Sequence, residues 1–489
     1  MQAPDPAPAA PAEGPDTAPP PEPALPPTPW KWRITILIAL CAVTGIAAAS
    51  GLALHASADA RFAASVAEGT PSAEAKEAVK DTRALAGRLQ AGCGIVFFLG
   101  LAALFSKSLQ SVRRKTLLWG IGLQFALAVA VIYSKSVQDV FEVVGSGIKA
   151  LITASDKGAE FVFGSLAKFD GPSGFVFAFK ALPPIIFVSS FFSVLYYLRV
   201  LQFFVRLMAR AMMYLMGTSG AETLSVSANV FMGQTEAPLI VKPFVPKMTR
   251  SELLALMGSG MAHISGGMMA VYISYGADPV AILCTCVMAC PCSLYLTKLM
   301  YPEAGKPVTS GEAPIAVETP YVNAIDAAAA GVKDGLMLAL NVAAMLIGFI
   351  AFIALIDIVL GGLFTGITLD KIFGTGFAPV AYLLGVQPDD CDKVGNLLGL
   401  KLAANEHVAY LKLKGWTATG EVALDPRSKL LAVYALTGFA NFASVGIQLG
   451  GIGAMAPGRR ADLAKLGMKA LFIGFLATLI NAAVAGLLM

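Results

Sequence analysis

The chain has 489 residues, of which 56% are hydrophobic and 14% are charged, and its mean hydropathy is +0.69. Apolar stretches of about 20 residues that lack strand-like alternation exclude water-soluble folds and outer-membrane barrels, and predict an all-α polytopic membrane protein in the lipid bilayer. The net charge of +4 is too small for neutralising a run of phosphates, so no nucleic-acid partner is expected.

The N-terminal region contains a polar tail and then an apolar run. Residues 1–29 are almost entirely Pro, Ala, Thr and acidic residues, which predicts a disordered tail. Lys31 and Arg33 precede the apolar run Ile34–Leu54, which ends near a small-residue sequence, as a signal peptide does. The long tail ahead of this run favours an uncleaved first span.

The rest of the chain contains further apolar runs. They predict spans at about 91–105, 117–133, 183–209, 253–275, 279–299, 335–360, 428–454 and 467–489. Residues 136–153 are amphipathic and are expected to lie at the membrane interface. Lys107, Arg113, Arg114 and Lys115 mark a cytoplasmic loop, which also puts the N-terminus in the cytoplasm. We expect a multi-pass protein of an inner or plasma membrane.

Two apolar segments carry polar residues at their middles. Segment 219–246 contains Gly233-Gln-Thr-Glu-Ala-Pro238, and segment 394–412 contains Asn405-Glu-His-Val-Ala409. Polar groups and helix-breaking residues at membrane depth are tolerated where the backbone is buried in protein or lines a wet cavity. Each segment is therefore predicted to be a re-entrant helical hairpin with a polar tip.

An internal repeat supports this prediction. Arg250-Ser-Glu-Leu-Leu-Ala255 recurs as Arg427-Ser-Lys-Leu-Leu-Ala432. Each copy follows one of the polar hairpins and opens a span with a break, at Gly260–Ser265 in the first and at Gly438–Ala443 in the second. Paired interrupted segments in two halves of a chain indicate the midplane binding site of a transporter.

The polar residues of these segments suit a small solute that carries hydroxyls and a ring. An intramembrane carboxylate is costly, so Glu236 and Glu406 are the leading candidates for solute binding. Phe439 offers a flat surface for stacking. Neutral donors and acceptors are expected from Gln234, Thr235, Asn405, Asn441 and Ser444. For each residue alone, interhelical hydrogen bonding is the alternative role.

Two of the three histidines fall at these polar breaks. His263 lies in the first broken span and His407 at the second hairpin tip. A buried histidine between carboxylates can carry a coupling proton, because its charge changes in the physiological range. The alternative is a neutral, hydrogen-bonded histidine that contributes only to packing.

Several motifs resemble those of the concentrative nucleoside transporter family. They are Ala228-Asn-Val-Phe-Met-Gly-Gln-Thr-Glu-Ala-Pro-Leu239, Lys247-Met-Thr-Arg-Ser-Glu252, Asn405-Glu-His-Val-Ala-Tyr410 and Ala435-Leu-Thr-Gly-Phe-Ala-Asn441. The resemblance extends from about residue 91 to the end of the chain. It implies a secondary transporter rather than an enzyme, in which a nucleoside such as uridine is imported with a cation and no cofactor.

The resemblance also implies the architecture. We expect a homotrimeric, inverted-repeat transporter with two re-entrant helical hairpins and two broken helices. The predicted regions are a tail at 1–29, an extra N-terminal span and loop at 30–90, scaffold helices with the interfacial helix at 91–215, the first hairpin and broken helix at 216–300, a linker and scaffold helix at 301–390, and the second hairpin, second broken helix and last span at 391–489.

The family's binding residues map onto this chain by position. The resemblance implies that the nucleobase is contacted by Gln234, Thr235, Glu236 and Met268. It implies that the ribose is held by Glu406, Asn441 and Ser444, with Phe439 nearby. Sodium ligands map to Asn229, to the backbone carbonyls of Met232 and Ile264, and to a hydroxyl side chain at position 263.

This chain departs from the family pattern at two positions. His263 replaces the small hydroxyl residue, and His407 replaces the usual Phe. Imidazole is a poor ligand for a hard cation that prefers oxygen. Proton coupling through His263 is therefore slightly favoured over sodium coupling, and both cations stay open.

Two other functions remain open from the sequence. One is a symporter of the same architecture that is selective for another solute, such as a free nucleobase. The other is a membrane-embedded hydrolase with a metal site formed by Glu236, His263, Glu406 and His407. The sequence has no His-Glu-x-x-His motif and no nucleophilic serine motif, which disfavours the hydrolase.

Overall fold

The computed structural model describes residues 22–67, 73–168, 176–180, 182–311, 321–364, 366–420 and 422–489. Within these ranges the chain is helical and has no β-strand. Eight helical stretches in the same ranges are long and apolar enough to cross a membrane. The predicted all-α fold class is therefore confirmed.

The described residues form 18 α-helices. They are α1 Trp30–Ala67, α2 Ala73–Leu104, α3 Arg114–Tyr133, α4 Lys135–Phe163, α5 Phe177–Lys180, α6 Pro183–Tyr197, α7 Val200–Met216, α8 Gly220–Ala228, α9 Arg250–Ala262, α10 Gly266–Ser274, α11 Pro279–Met300, α12 Ala324–Leu363, α13 Leu369–Leu383, α14 Cys391–Ala403, α15 Glu406–Thr419, α16 Pro426–Leu436, α17 Phe442–Met455 and α18 Arg460–Leu488. A 3-10 segment, Ala237–Lys247, follows α8 and contains Pro243 and Pro246.

One predicted span is wrong, and one helix was not predicted. Residues 183–209 do not form one span, because α6 ends at Tyr197 and α7 begins at Val200. Between them Arg199 adopts a left-handed conformation with φ 63°, which stops the helix. Helix α13 was not predicted, and its two glycines and Pro379 weaken the apolar pattern that identifies a helix.

The N-terminal tail is a further correction. Residues 1–21 lie outside the described residues, but 22–29 are held against the helical body. The Thr28 hydroxyl donates to the Ser106 carbonyl at 3.0 Å and accepts from the Leu109 amide at 3.1 Å. The Glu22 carboxylate accepts from the Arg250 amide at 2.5 Å, at the start of α9. Unpaired amides at helix starts attract such side chains, so this part of the tail is ordered.

The centre of the molecule consists of α9, α10, α11 and α18, which are buried along most of their length. Small residues let these helices approach closely. A Cβ on Gly474 of α18 would lie 2.5 Å from the Met261 Cβ of α9, and one on Gly258 would lie 3.0 Å from Ile473. Such contacts are how membrane helices gain packing energy.

Capping boxes start the two helices that flank the 3-10 segment. The Ser219 hydroxyl and the Glu222 side chain cap α8 reciprocally, and Thr249 and Glu252 do the same for α9. The Ser219 hydroxyl also donates to the Glu252 carboxylate at 2.6 Å. The two helix starts are therefore joined to each other.

One buried lysine connects this pair to α11. Lys298 lies 2.7 Å from the Glu222 carboxylate and 3.1 Å from the Glu303 carboxylate, and it donates to the Ser251 hydroxyl at 2.9 Å. Lysine and both glutamate side chains are almost fully buried. The cluster fixes the ends of α8, α9 and α11 relative to one another.

Candidate functional site

Two polar turns and two helix interruptions meet near the buried centre. The first turn joins α8 to the 3-10 segment at residues 229–236, and the second joins α14 to α15 at Ala404–Asn405. The first interruption, His263–Ser265, separates α9 from α10. The second, Thr437–Asn441, separates α16 from α17.

The two interruptions are in direct backbone contact. The Phe439 amide donates to the His263 carbonyl at 3.1 Å. A Cβ on Gly438 would lie 3.1 Å from the carbonyl oxygens of Met261 and Ala262, so this residue has no room for a side chain. The first turn also reaches the first interruption, because the Gly266 amide donates to the Phe231 carbonyl at 3.0 Å.

A chain of hydrogen bonds links most of the predicted polar residues. The Glu406 carboxylate accepts from the Tyr272 hydroxyl at 2.8 Å and from the Asn441 amide at 3.0 Å. The Asn441 side-chain oxygen accepts from the Ser444 amide at 2.9 Å and so caps α17. The Ser444 hydroxyl accepts from the Gln234 side chain at 3.2 Å. All five side chains are buried.

Besides Asn229, two residues near the end of the first turn have a buried side-chain oxygen without a hydrogen-bond partner among the described residues. The two atoms are Oε1 of Gln234 and Oε2 of Glu236. The Glu236 side chain lies over Gly233, and a Cβ on Gly233 would collide with the Glu236 carboxylate. A buried acceptor without a donor costs about 1–3 kcal/mol, so both oxygens are suited to N–H or O–H groups of a ligand.

Glu236 lines a cavity of about 880 Å³. The cavity lies between the first turn, the start of α10, and helices α6 and α12. Phe192 and Tyr196 contribute aromatic surface, and Asp334 contributes a second carboxylate. A cavity of this size with apolar walls and a few polar groups is typical of a small-molecule site.

The other predicted solute-binding residues occupy different positions around this site. Thr235 lies close to Gly451 of α17. A Cβ on Gly451 would lie 2.6 Å from the methyl carbon of Thr235. Phe439 lies in the second interruption and is half-buried. Met268 is buried in the first turn of α10, and no described contact joins it to the chain of hydrogen bonds.

His263 is held in a neutral environment. Its Nδ1 lies 2.8 Å from the Ser259 carbonyl oxygen, which only accepts, so Nδ1 carries a hydrogen. Its Nε2 lies 3.3 Å from the Cys290 sulfur. No ion pair joins it to a carboxylate within the described ranges. Since the ring is 1% exposed, a second proton would leave a buried charge unpaired.

Asn229 offers an oxygen close to this histidine. Its amide nitrogen donates to the Ser225 carbonyl at 3.3 Å and to the Ser259 hydroxyl at 3.0 Å. These donations fix the orientation of the amide, and Oδ1 is left buried without a partner in the described chain. Met232 follows Phe231 in the chain, and Ile264 lies two residues before Gly266. The hydrogen bond from the Gly266 amide to the Phe231 carbonyl therefore joins the segments that contain Met232 and Ile264.

His407 belongs to an aromatic cluster instead. Its Nε2 lies 3.2 Å from the Tyr275 hydroxyl, and its ring contacts those of Tyr272 and Tyr275. Tyr272 stacks on Tyr410 with ring centroids 4.2 Å apart. The cluster packs the second polar turn against α10.

Two residues of the site were missed from the sequence. Tyr272 had no identifying signal, because a tyrosine in an apolar helix is ordinary. Lys401 did have one, since it is a basic residue within an apolar helix just before Glu406. It is completely buried and donates to the Ala435 carbonyl at 2.7 Å and to the Thr478 hydroxyl at 2.8 Å.

The alternative of a hydrolase metal site, which the sequence disfavours, has no structural support. Among the described residues, no group of three or more His, Cys, Asp or Glu side chains is arranged to hold a metal ion. Glu406 and His407 instead have tyrosine and asparagine partners.

Three family models match the chain. Residues 93–166 match the N-terminal part of Na+ dependent nucleoside transporters, residues 178–279 match a gate described as nucleoside recognition, and residues 281–486 match the C-terminal part of Na+ dependent nucleoside transporters.

Similar proteins and structures agree with these matches. An uncharacterised transporter of Haemophilus influenzae is 39% identical over 401 residues, covering 81% of this chain and 96% of its own length. Human sodium/nucleoside cotransporter 1 is 37% identical over 433 residues, covering 83% of this chain, which spans 65% of that protein. CNTnw in an inward-facing substrate-bound state is 35% identical, with a TM-score of 0.77, over 82% of this chain and 97% of its own. A variant of CNTnw in an outward-facing state has a TM-score of 0.78 at 35% identity, over 83% and 99%.

Proposed function

The chain belongs to the concentrative nucleoside transporter family, and we propose that it imports nucleosides such as uridine together with a cation. The family consists of transporters, not enzymes, and its relatives are named as sodium/nucleoside cotransporters. A single cation moving with the membrane potential supplies about 2.3 kcal/mol per 100 mV, which corresponds to roughly fifty-fold accumulation.

The observation that supports a nucleoside most directly is the pair of unpartnered acceptors at the first turn. Oε1 of Gln234 and Oε2 of Glu236 are buried and need donors, which the N–H groups of a nucleobase supply. Glu406 and Asn441, on the second turn and the second interruption, have the acceptors and donors that ribose hydroxyls require. Thr235, Met268, Ser444 and Phe439 complete the proposed site, in the roles that the family pattern gives them.

Substitution of Glu406 by Gln tests the ribose assignment. The neutral amide keeps the size of the side chain but loses a charge-assisted hydrogen bond, so uridine uptake into proteoliposomes is expected to fall at least tenfold. The purified variant should keep the oligomeric state and thermal stability of the wild type. Normal uptake by Glu406→Gln would contradict the assignment, and loss of assembly would favour a structural role for Glu406.

The two polar turns are proposed to be the tips of re-entrant hairpins. Helix α8 has 9 residues, α14 has 13 and α15 has 14. At 1.5 Å per residue, none is as long as the hydrocarbon core of about 30 Å, so each pair enters and leaves on one side. The hairpin and interrupted helix of each half form the inverted repeats, and the regions predicted from the sequence remain the proposed domain division.

Sodium is the coupling ion that we propose. The Asn229 Oδ1 atom is a buried oxygen without a partner, and the carbonyls of Met232 and Ile264 are nearby candidates for the same ion. Both nitrogens of His263 already have partners, and the neutral ring has no carboxylate to stabilise a second proton. These observations support sodium over the proton that the sequence slightly favoured, and they leave His407 in a packing role.

Uptake under imposed gradients tests the coupling ion. Wild type and His263→Ser are reconstituted, and labelled uridine uptake is measured with an inward sodium gradient and, separately, with an inward proton gradient. We expect sodium to drive wild type, and His263→Ser to need less sodium because it adds a hydroxyl oxygen beside Asn229. Uptake of wild type driven only by protons would contradict the sodium assignment. Absence of uptake under both gradients would contradict nucleoside transport itself.

The orientation is proposed from the basic residues of one loop. Lys107, Arg113, Arg114 and Lys115 lie between α2 and α3, and short loops rich in such residues stay in the cytoplasm. The N-terminus then lies on the cytoplasmic side of a cell membrane, with α1 as the additional first span.

A further inference from the structure

Lys401 is a completely buried lysine in α14, one turn before the second polar turn. Its Nζ donates to the Ala435 carbonyl of α16 at 2.7 Å and to the Thr478 hydroxyl of α18 at 2.8 Å. The Phe475 ring lies 5.6 Å from the same nitrogen. The lysine therefore joins the first limb of the second hairpin to two other helices.

Lys401 and Glu406 are two opposite buried charges in one hairpin. Neither forms an ion pair within 4 Å in the described part of the chain, and the contacts of both are with neutral groups. Opposite charges at these two positions would attract each other across the low-dielectric interior. A single buried charge is costly, so each of them offsets the cost of keeping the other ionised.

The acceptor of Lys401 is at the end of a helix. Ala435 lies in the last turn of α16, just before the interruption that leads to Asn441. Carbonyl groups in a last helical turn lack intrahelical partners, and a cation is favourable there. The lysine thereby fixes the end of α16, from which the chain continues through the second interruption to Asn441, and it lies in α14, from which the chain continues through the second polar turn to Glu406.

We propose that Lys401 is a positioning residue for nucleoside recognition, which holds Glu406 and Asn441 at their 3.0 Å separation and supplies the counter-charge of the Glu406 carboxylate. This inference rests on the proposed function, in which these two groups bind the ribose. Lys401 acts through Glu406 and Asn441, and its own nitrogen is occupied by Ala435 and Thr478.

The test compares two solutes that differ only in the ribose hydroxyls. Uptake of uridine and of 2′,3′-dideoxyuridine is measured in proteoliposomes for wild type and Lys401→Met, whose side chain has a similar length but no charge. Wild type should prefer uridine. In Lys401→Met the ratio of kcat/KM for uridine to that for the dideoxy compound should fall about tenfold, because the charge-assisted contacts to the hydroxyls are weakened.

Two further variants make the result specific. Thr478→Val removes one acceptor of Lys401 and keeps the charge, so it should lower the same ratio by a smaller factor. Lys393→Met removes a lysine from the other end of α14, where it pairs with Asp390 at 2.8 Å, and should leave the ratio unchanged.

Each outcome bears on one of the two proposals. If Lys401→Met slows both solutes equally, the lysine has only a general structural role and the inference is overturned, while nucleoside transport stands. If Lys401→Met does not fold, an unchanged ratio in Thr478→Val overturns the inference. If wild type does not prefer uridine, the ribose assignment itself fails, and the positioning role fails with it.

Discussion

Gly438 lies where the two interrupted helices cross, and its lack of a side chain permits their contact. A Cβ there would lie 2.6 Å from the Thr478 methyl group and 3.1 Å from two carbonyl oxygens of α9. Its φ of 155° is also one that L-residues rarely adopt. We expect Gly438→Ala to destabilise the protein by about 1–3 kcal/mol and to reduce uridine uptake, measured as a lower Tm in detergent and a slower initial rate.

Gly446 provides the matched control for this prediction. It lies in α17 of the same half, and a Cβ there would meet no atom within 4 Å. Gly446→Ala should therefore keep the Tm or raise it slightly, as alanine favours helices. Equal Tm values for the two variants would show that the crossing tolerates a side chain at position 438.

The candidate site was predictable to the extent that its residues carry polar groups in apolar surroundings. Gln234, Glu406, Asn441 and Ser444 have this signal, and the structure joins them in one chain of hydrogen bonds. Tyr272 was not predictable, because its role depends on which helix faces Glu406. Contacts of that kind arise from tertiary packing and not from local sequence.

At the scale of helices, the Lys298 cluster joins the starts of α8 and α9 to the end of α11. Lys298→Met would leave the buried carboxylates of Glu222 and Glu303 without their cation. Breaking a buried ion pair by removing one partner costs about 3–5 kcal/mol, so we expect a large drop in Tm and in the yield of monodisperse protein.

Two companion variants separate charge from packing at this cluster. Adding Glu222→Gln to Lys298→Met should recover part of the lost Tm, because it removes one of the stranded charges. Lys306→Met, at an exposed position after α11, should have little effect. A Tm of Lys298→Met equal to that of Lys306→Met would contradict the structural role of the cluster.

Helix boundaries were predictable to within a few residues where long apolar runs end, as for α3 and α11. The prediction failed for α6 and α7, because an apolar run does not reveal that Arg199 takes a left-handed conformation. It failed for residues 22–29 for a related reason. Their composition resembles a disordered tail, but Thr28 and Glu22 find backbone partners that only the folded body supplies.

At the scale of the whole molecule, the buried and exposed helices have different expected surroundings. Helices α9, α11 and α18 are enclosed by the chain itself, whereas α12, a largely apolar helix of 40 residues, is exposed along most of its length. At 1.5 Å per residue α12 is about twice as long as the hydrocarbon core is thick, so it must tilt or extend beyond it. Its exposed surface suits lipid or a neighbouring subunit.

The proposed site is built from residues of one chain, so each subunit of a trimer should transport independently. Gln234, Glu406, Asn441 and Ser444 contact one another within a single protomer. Co-purified oligomers of wild type and Glu406→Gln, carrying different affinity tags, should therefore show uridine uptake that rises linearly with the wild-type fraction. A control mixture of wild type with wild type fixes the rate per protomer. Uptake that falls as the square or cube of the wild-type fraction would require coupling between subunits, and native mass spectrometry of the same samples gives the number of chains in each oligomer.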